Sequence, residues 1–167
     1  CLNLGVNHNI IKRSLKRFSG VQRRMTKIFN KGKNDFYDDY AHHPTEIKCI
    51  LESVKNVHSN RKIISVFEPH RYSRVLSLKK EFAKSFLNSD LVVLCPIYAA
   101  GEKKSLKFNP YEFAKLISKH SKTQVVVVKS YLDLERLFKK NLLSDEIIIG
   151  MGAGVISKNM RKLKTVL

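Results

Sequence analysis

Phe36-Tyr37-Asp38-Asp39-Tyr40-Ala41-His42-His43-Pro44-Thr45-Glu46-Ile47 reads as a strand that turns directly into a helix. The aromatic pair Phe36 and Tyr37 suits an extended, half-buried backbone. Pro44 suits the first helical position, where its fixed φ fits and its missing N–H is no loss. Ile47, Ile50, Leu51 and Val54 then recur at helical spacing, as one buried face requires. Between the two halves stand two carboxylates, a phenol and two imidazoles. A hydrophobic core has no use for that chemistry, and in an α/β sheet ligands sit beyond the carboxyl ends of the strands. The junction therefore reads as the lip of a site, with His43 capping and orienting the helix start.

Outward from this junction, apolar runs alternate with helical patterns, the signature of βα units. Strands are expected near 35–39, 62–67, 91–95, 124–128 and 146–150, and helices over 44–57, 74–88, 110–120, 131–141 and from about 156. The β-branched runs Gln124-Val125-Val126-Val127-Val128 and Glu146-Ile147-Ile148-Ile149 are continuous rather than alternating, as expected of strands covered on both faces. Upstream, Asn7 can cap a helix carrying Ile11, Leu15 and Phe18 and ending at Gly20. The fold class is thus α/β: a Rossmann-like three-layer sandwich around a mostly parallel sheet of five or six strands.

Parallel strands place their carboxyl ends on one edge, so the segments Asp39 to His43, Pro69 to Arg74, Pro96 to Glu102 and Gly150 to Gly154 converge there. Arg71 and Arg74, three residues apart at a helix start, make an anion trap. A guanidinium holds a carboxylate or phosphate with two parallel hydrogen bonds, which an ammonium cannot do. His42, His43 and Glu46 lie close enough to suggest a metal site, but no third and fourth dedicated ligand accompanies them, and no protein-held metal is expected. Gly150-Met151-Gly152-Ala153-Gly154 has G-x-G-x-G spacing, follows the last strand and has no acidic residue after it, so tight backbone packing is expected there rather than dinucleotide binding. No G-x-x-x-x-G-K-[ST] loop occurs, so ATP phosphates are not cradled by this chain unaided.

With 167 residues the chain suffices for one well-buried domain. Its formal net charge of +18 is the usual footprint of a nucleic-acid surface. The lysines, however, are dispersed along the chain, without an aromatic-interleaved stripe or a helix-turn-helix, zinc-finger or RNA-binding motif. Nucleic acid is therefore not expected as a partner, and a lysine-rich solvated surface is. Cys1, Cys49 and Cys95 lack metal spacing and an even count, which suits a reducing, cytoplasmic compartment. No apolar run approaches the length of a membrane span, and no membrane partner is expected. The chain starts at Cys1 rather than Met and looks like a fragment.

The block Asp38 to Ile47, followed by Phe67-Glu68-Pro69-His70-Arg71-Tyr72-Ser73-Arg74, Ile97-Tyr98-Ala99-Ala100-Gly101-Glu102 and Gly152-Ala153-Gly154-Val155-Ile156-Ser157, resembles the C-terminal domain of the Mur ligases. The second block is nearest to the members that join L-alanine to UDP-N-acetylmuramate in peptidoglycan synthesis. The resemblance implies that residues 1–29 are the tail of a central ATP-binding domain, 30–34 a linker, and 35–167 the C-terminal domain. It implies ATP and Mg²⁺ as cofactors, held mainly by the central domain, and the remaining ligase domains as partners. Tyr40, His42, His70, Arg71 and Arg74 would line the amino-acid side of the site, and Arg24 and Asp39 would face the nucleotide. No catalytic residue is expected within the chain itself, which would be inactive alone. A basic α/β nucleic-acid-binding module and an inactive gene remnant stand as the alternatives.

Overall fold

The hydrophobic pattern settles into one six-stranded sheet in a computed structural model of the chain, which describes residues 1–18, 20–141 and 145–167. The strands are β1 (Thr26–Lys31), β2 (Asn34–Asp39), β3 (Lys62–Phe67), β4 (Leu91–Leu94), β5 (Gln124–Val127) and β6 (Glu146–Met151), in the order β1-β2-β6-β3-β4-β5. All neighbouring pairs are parallel except β1 with β2. The helices are α1 (His8–Arg17), α2 (Pro44–Val57), α3 (Tyr72–Ser77), α4 (Lys79–Lys84), α5 (Pro110–Ser121), α6 (Tyr131–Asn141) and α7 (Ile156–Val166). None among the described residues is long and apolar enough to cross a membrane.

The alternation of side chains along each strand builds two cores. Ile63 and Phe67 of β3, Val92 and Leu94 of β4, and Ile147 and Ile149 of β6 face α2, α4 and α5. Ile64, Val66, Val93 and Ile148 face the other way, against Leu134 and Phe138 of α6 and Met160 and Leu163 of α7. The three-layer expectation holds because β6, β3 and β4, at the middle of the sheet, carry apolar side chains on both faces. Gly150 permits close approach on the second face, since a Cβ there would stand 2.4 Å from the Met160 Cγ.

Four details depart from the sequence reading. Residues 26–29, expected in an upstream tail, join Asn30 and Lys31 in the antiparallel edge strand β1, and the stretch 30–34 expected as a linker runs through the tip of the β1–β2 hairpin, turning at Gly32 with φ 59°. The helix expected over 74–88 is broken at Leu78, where the Ser77 hydroxyl and the Leu78 N–H both take the Arg74 carbonyl. The valine run of β5 is a strand but lies at the sheet edge, with Val126 36% exposed, because no further strand covers it. Finally, α1 starts at the expected cap, with Asn7 Oδ1 accepting from Asn9 N–H at 2.8 Å, but stops at Arg17 and buries no residue.

Candidate functional site

The strand ends are laced together by the backbone before any side chain contributes. Gly152 N–H donates to the Asp39 carbonyl, Glu68 N–H to that of Met151, Cys95 N–H to that of Phe67, and Tyr98 N–H to that of Pro69. Successive bonds thus join the ends of β2, β6, β3 and β4, and the four expected segments meet on one edge.

On that edge four rings stand in a row. The Tyr40 and His42 centroids are 5.1 Å apart, those of His42 and His70 5.6 Å, and those of His70 and Tyr98 5.5 Å. Tyr40 is 39% exposed and His42 and His70 are half-buried, so the row is open to a ligand on one side. Arg74 lies at its flank, with Nη1 3.2 Å from His70 Nδ1. Burial and then the neighbouring Arg74 cation hold the His70 imidazole below its ordinary pKa. With Arg74 donating to Nδ1, the neutral ring carries its proton on Nε2. Arg71 is exposed and precedes α3 with φ 67°, a strained conformation for a side chain with a Cβ. Glu102 sets the start of that helix, accepting from Ser73 N–H at 3.0 Å and from the Ser73 hydroxyl.

The α2 end of the site is fixed by a capping box. His43 Nδ1 accepts from Thr45 N–H, and Glu46 Oε2 accepts from the N–H groups of His42 and His43 at 3.0 and 3.1 Å. Burial raises the Glu46 pKa, but those N–H donors outweigh it and the net displacement is downward. A carboxylate with a lowered folded pKa stabilises the fold above its ordinary value near 4.5, and that contribution disappears as pH falls through the folded value. Glu46→Gln is therefore expected to cost ~0.5 kcal/mol at pH 7, and that cost should vanish once the pH has fallen through the lowered pKa of Glu46, in urea unfolding. An equal cost on both sides of that pKa would assign the effect to packing instead.

The two nucleotide-facing expectations fare differently. Arg24 is exposed and close enough to act electrostatically on Asp39 and Glu46, an available cation at the lip. Asp39 is 1% exposed, and its two oxygens accept from Met25 N–H and Ala41 N–H, each at 2.7 Å. Burial raises its pKa. Asp39 thus braces the hairpin against the strand-to-helix junction, with one backbone N–H on each carboxylate oxygen.

Sequence reasoning missed Arg23, whose guanidinium lies 4.8 Å over the Tyr40 ring, donates through Nη2 to the Gly152 carbonyl and sets Nε 3.7 Å from buried Asp38. Asp38 also accepts from the Ser157 hydroxyl and from Arg161, at 2.6 and 3.2 Å. Two adjacent arginines in a loop give no sequence signal of which one turns inward. Glu68 was missed as well: it is 1% exposed and accepts from the Tyr131 hydroxyl and the Gly154 and Val155 N–H groups. The glycine segment packs as expected, with Gly152 against Glu68 and Gly154 against Tyr98.

The family described as "Mur ligase, glutamate ligase domain" matches residues 23–154. The chain belongs to the Mur ligase family. This Mur ligase domain is 49% identical over 162 residues to the UDP-N-acetylmuramate–L-alanine ligase of Pelagibacter ubique, covering 97% of this chain and 35% of that protein. To the enzyme of the same name from Fusobacterium nucleatum it is 39% identical, over 92% of this chain and 34% of the relative. The chain thus spans about a third of the length of the curated relatives it matches. Among solved structures, the UDP-N-acetylmuramate–alanine ligase of Thermotoga maritima superposes with a TM-score of 0.75 at 26% identity, covering 98% of this chain and 34% of that one. A murein peptide ligase from Psychrobacter arcticus shares the fold, with a TM-score of 0.73 at 21% identity and coverage of 99% and 34%.

Proposed function

We propose that this Mur ligase domain is the lid and amino-acid half of an ATP-dependent ligase that joins L-alanine to UDP-N-acetylmuramate in the cytoplasmic stage of peptidoglycan synthesis. The observation that carries the reading is the convergence of Tyr40, His42, His70, Arg71 and Arg74 on one sheet edge, beside the open ring row. Two guanidiniums at a strand end suit an amino-acid carboxylate, and the ring row suits a small side chain beside it. ATP, held with Mg²⁺ by the remaining domains, supplies the activation of the UDP-N-acetylmuramate carboxylate as an acyl phosphate. The donors present here do not fit the metal: Asp39, Glu46 and Glu102 are each engaged by backbone N–H groups. The role of this chain is to bind the amino acid, aim its amine at the acyl carbon and exclude water as the lid closes. The C–N bond then forms, phosphate leaves with the acyl C–O electron pair, and the amine gives up a proton.

Arg24 is proposed to face the nucleotide, with Asp39 holding the hairpin that presents it. Residues upstream of β1 are proposed to trail from the central ATP-binding domain. Support comes from the exposed Ile10 and Leu15 of α1 and from Phe18, which follows it. The purified chain alone is expected to show no ATP hydrolysis, because it has no phosphate loop. Joined to the remaining domains, it should release phosphate only when both UDP-N-acetylmuramate and L-alanine are present. Measurable hydrolysis by the chain alone, or phosphate release indifferent to L-alanine, would sink the reading.

A further inference from the structure

Tyr98 closes the ring row, and its contacts reach beyond that row to the turn after β3 and to the glycine segment after β6. Its main chain is pinned on either side to the segment after β3: its N–H donates to the Pro69 carbonyl at 2.8 Å, and its carbonyl accepts from Arg71 N–H at 2.9 Å. The second bond falls on the residue held at φ 67°, where a compensating contact is needed. The Tyr98 ring is 38% exposed and lies within 26° of parallel to the His70 imidazole. Behind it is Gly154, where an added Cβ would stand 2.4 Å from Tyr98 Cγ and 2.6 Å from Glu68 Oε1. Gly154 is itself fixed by its N–H, which donates to Glu68 Oε1 at 3.0 Å.

We propose that Tyr98 is a positioning residue: clamped between Gly154 and His70, it fixes the plane of the imidazole and, through its carbonyl, the turn that aims Arg71. Sequence spacing alone does not reveal this, because the contact joins a ring after β4 to a glycine after β6. The clamp stands on geometry alone; only its consequence for L-alanine rests on the proposed function. Its removal has a readable sign. His70 is faced by Arg74, Arg71, His42 and Glu102, and burial is the largest cause of its lowered pKa. Losing the stacked ring rehydrates the imidazole while those charges remain, so the titration midpoint rises.

The test is an NMR titration of the His70 imidazole in this chain, identified by its loss in His70→Gln, with KM measured in the ligase assembled from this chain and the remaining domains. Tyr98→Leu removes the plane, and Gly154→Ala displaces the ring without deleting it. Both are expected to move the midpoint upward and to raise the KM for L-alanine about tenfold without a matching rise for ATP. Tyr98→Phe, which keeps the ring, should retain the parental midpoint. A parental midpoint in folded Gly154→Ala and Tyr98→Leu chains overturns the proposal. A raised midpoint with an unchanged L-alanine KM supports the clamp and overturns the amino-acid reading of the site instead.

Discussion

Arg71→Ala and Arg74→Ala, each placed in the ligase assembled from this chain and the remaining domains, are expected to raise the KM for L-alanine by roughly 10- to 150-fold, the equivalent of ~1.5 to 3 kcal/mol for one charge-assisted contact. The KM for ATP should stay within about twofold. The two residues reach the site differently. Arg71 is exposed at the head of α3, while Arg74 commits Nη1 to His70, and on the proposed reading the rest of its fork takes the carboxylate. Arg74→Ala should therefore also loosen His70, and the double variant should cost less than the sum of the two. Arg→Lys at either position should rescue little, because a point charge retains the attraction but not the planar pair of donors that orients the substrate. With orientation lost, kcat should fall as well. Steady-state kinetics with each substrate varied in turn decides the matter. Alanine variants that leave the L-alanine KM unmoved while weakening ATP would place the pair in the other half of the site.

The largest effect on stability is expected from Phe67→Ala, at ~3 to 5 kcal/mol in urea unfolding of the chain. Phe67 is fully buried at the last position of β3, with ring centroids 5.6 Å from Phe82 and 5.3 Å from Phe86. Truncation forfeits the transfer of a phenyl ring and leaves a cavity between the sheet and the α4 region that the short helix cannot fill by sliding. Against a total of ~5 to 15 kcal/mol for a domain of ordinary stability, that loss is a large fraction. Because Glu68, His70 and Arg71 follow directly, the same change should loosen the site edge. Phe67→Leu should recover more than half of the loss, since it restores most of the volume. A Phe67→Ala cost below about 1 kcal/mol would mean that the aromatic cluster is not closely packed.

Much of the fold was legible because it is written in short-range patterns. The helix α2 runs over the residues expected of it, since the His43-Pro44 pair and the Ile47, Leu51, Val54 stripe act within a few positions of each other. The strands β3 to β6 likewise lie where apolar runs of the right length stand between turns, and β2 lies around the aromatic pair Phe36 and Tyr37. The misses fall where local pattern is weak or overridden. Thr26-Lys27-Ile28-Phe29-Asn30-Lys31 has no clean alternation, its pairing with β2 slips between Lys27 and Phe29, and it becomes a strand only because β2 offers a free edge. The interruption at Leu78, with φ −109° and ψ 26°, leaves the helical spacing of Leu78, Phe82 and Phe86 intact, so a periodic pattern alone does not reveal it.

The chain by itself determined which chemistry reaches the strand ends, because residue type and strand polarity suffice to bring Tyr40, His42, His70, Arg71 and Arg74 to one edge. Only the tertiary structure decided which other polar groups are consumed in holding that edge together. Arg23 meets Gly152 across 129 residues and Glu68 meets Gly154 across 86, and these pairings exist only once β6 has been inserted between β2 and β3. For Asp39, residue type and strand end suggest a nucleotide contact, and the fold adds two backbone donors to the same carboxylate. A carboxylate at a strand end accepts from the N–H groups that the fold delivers, and here these are Met25, just before β1, and Ala41.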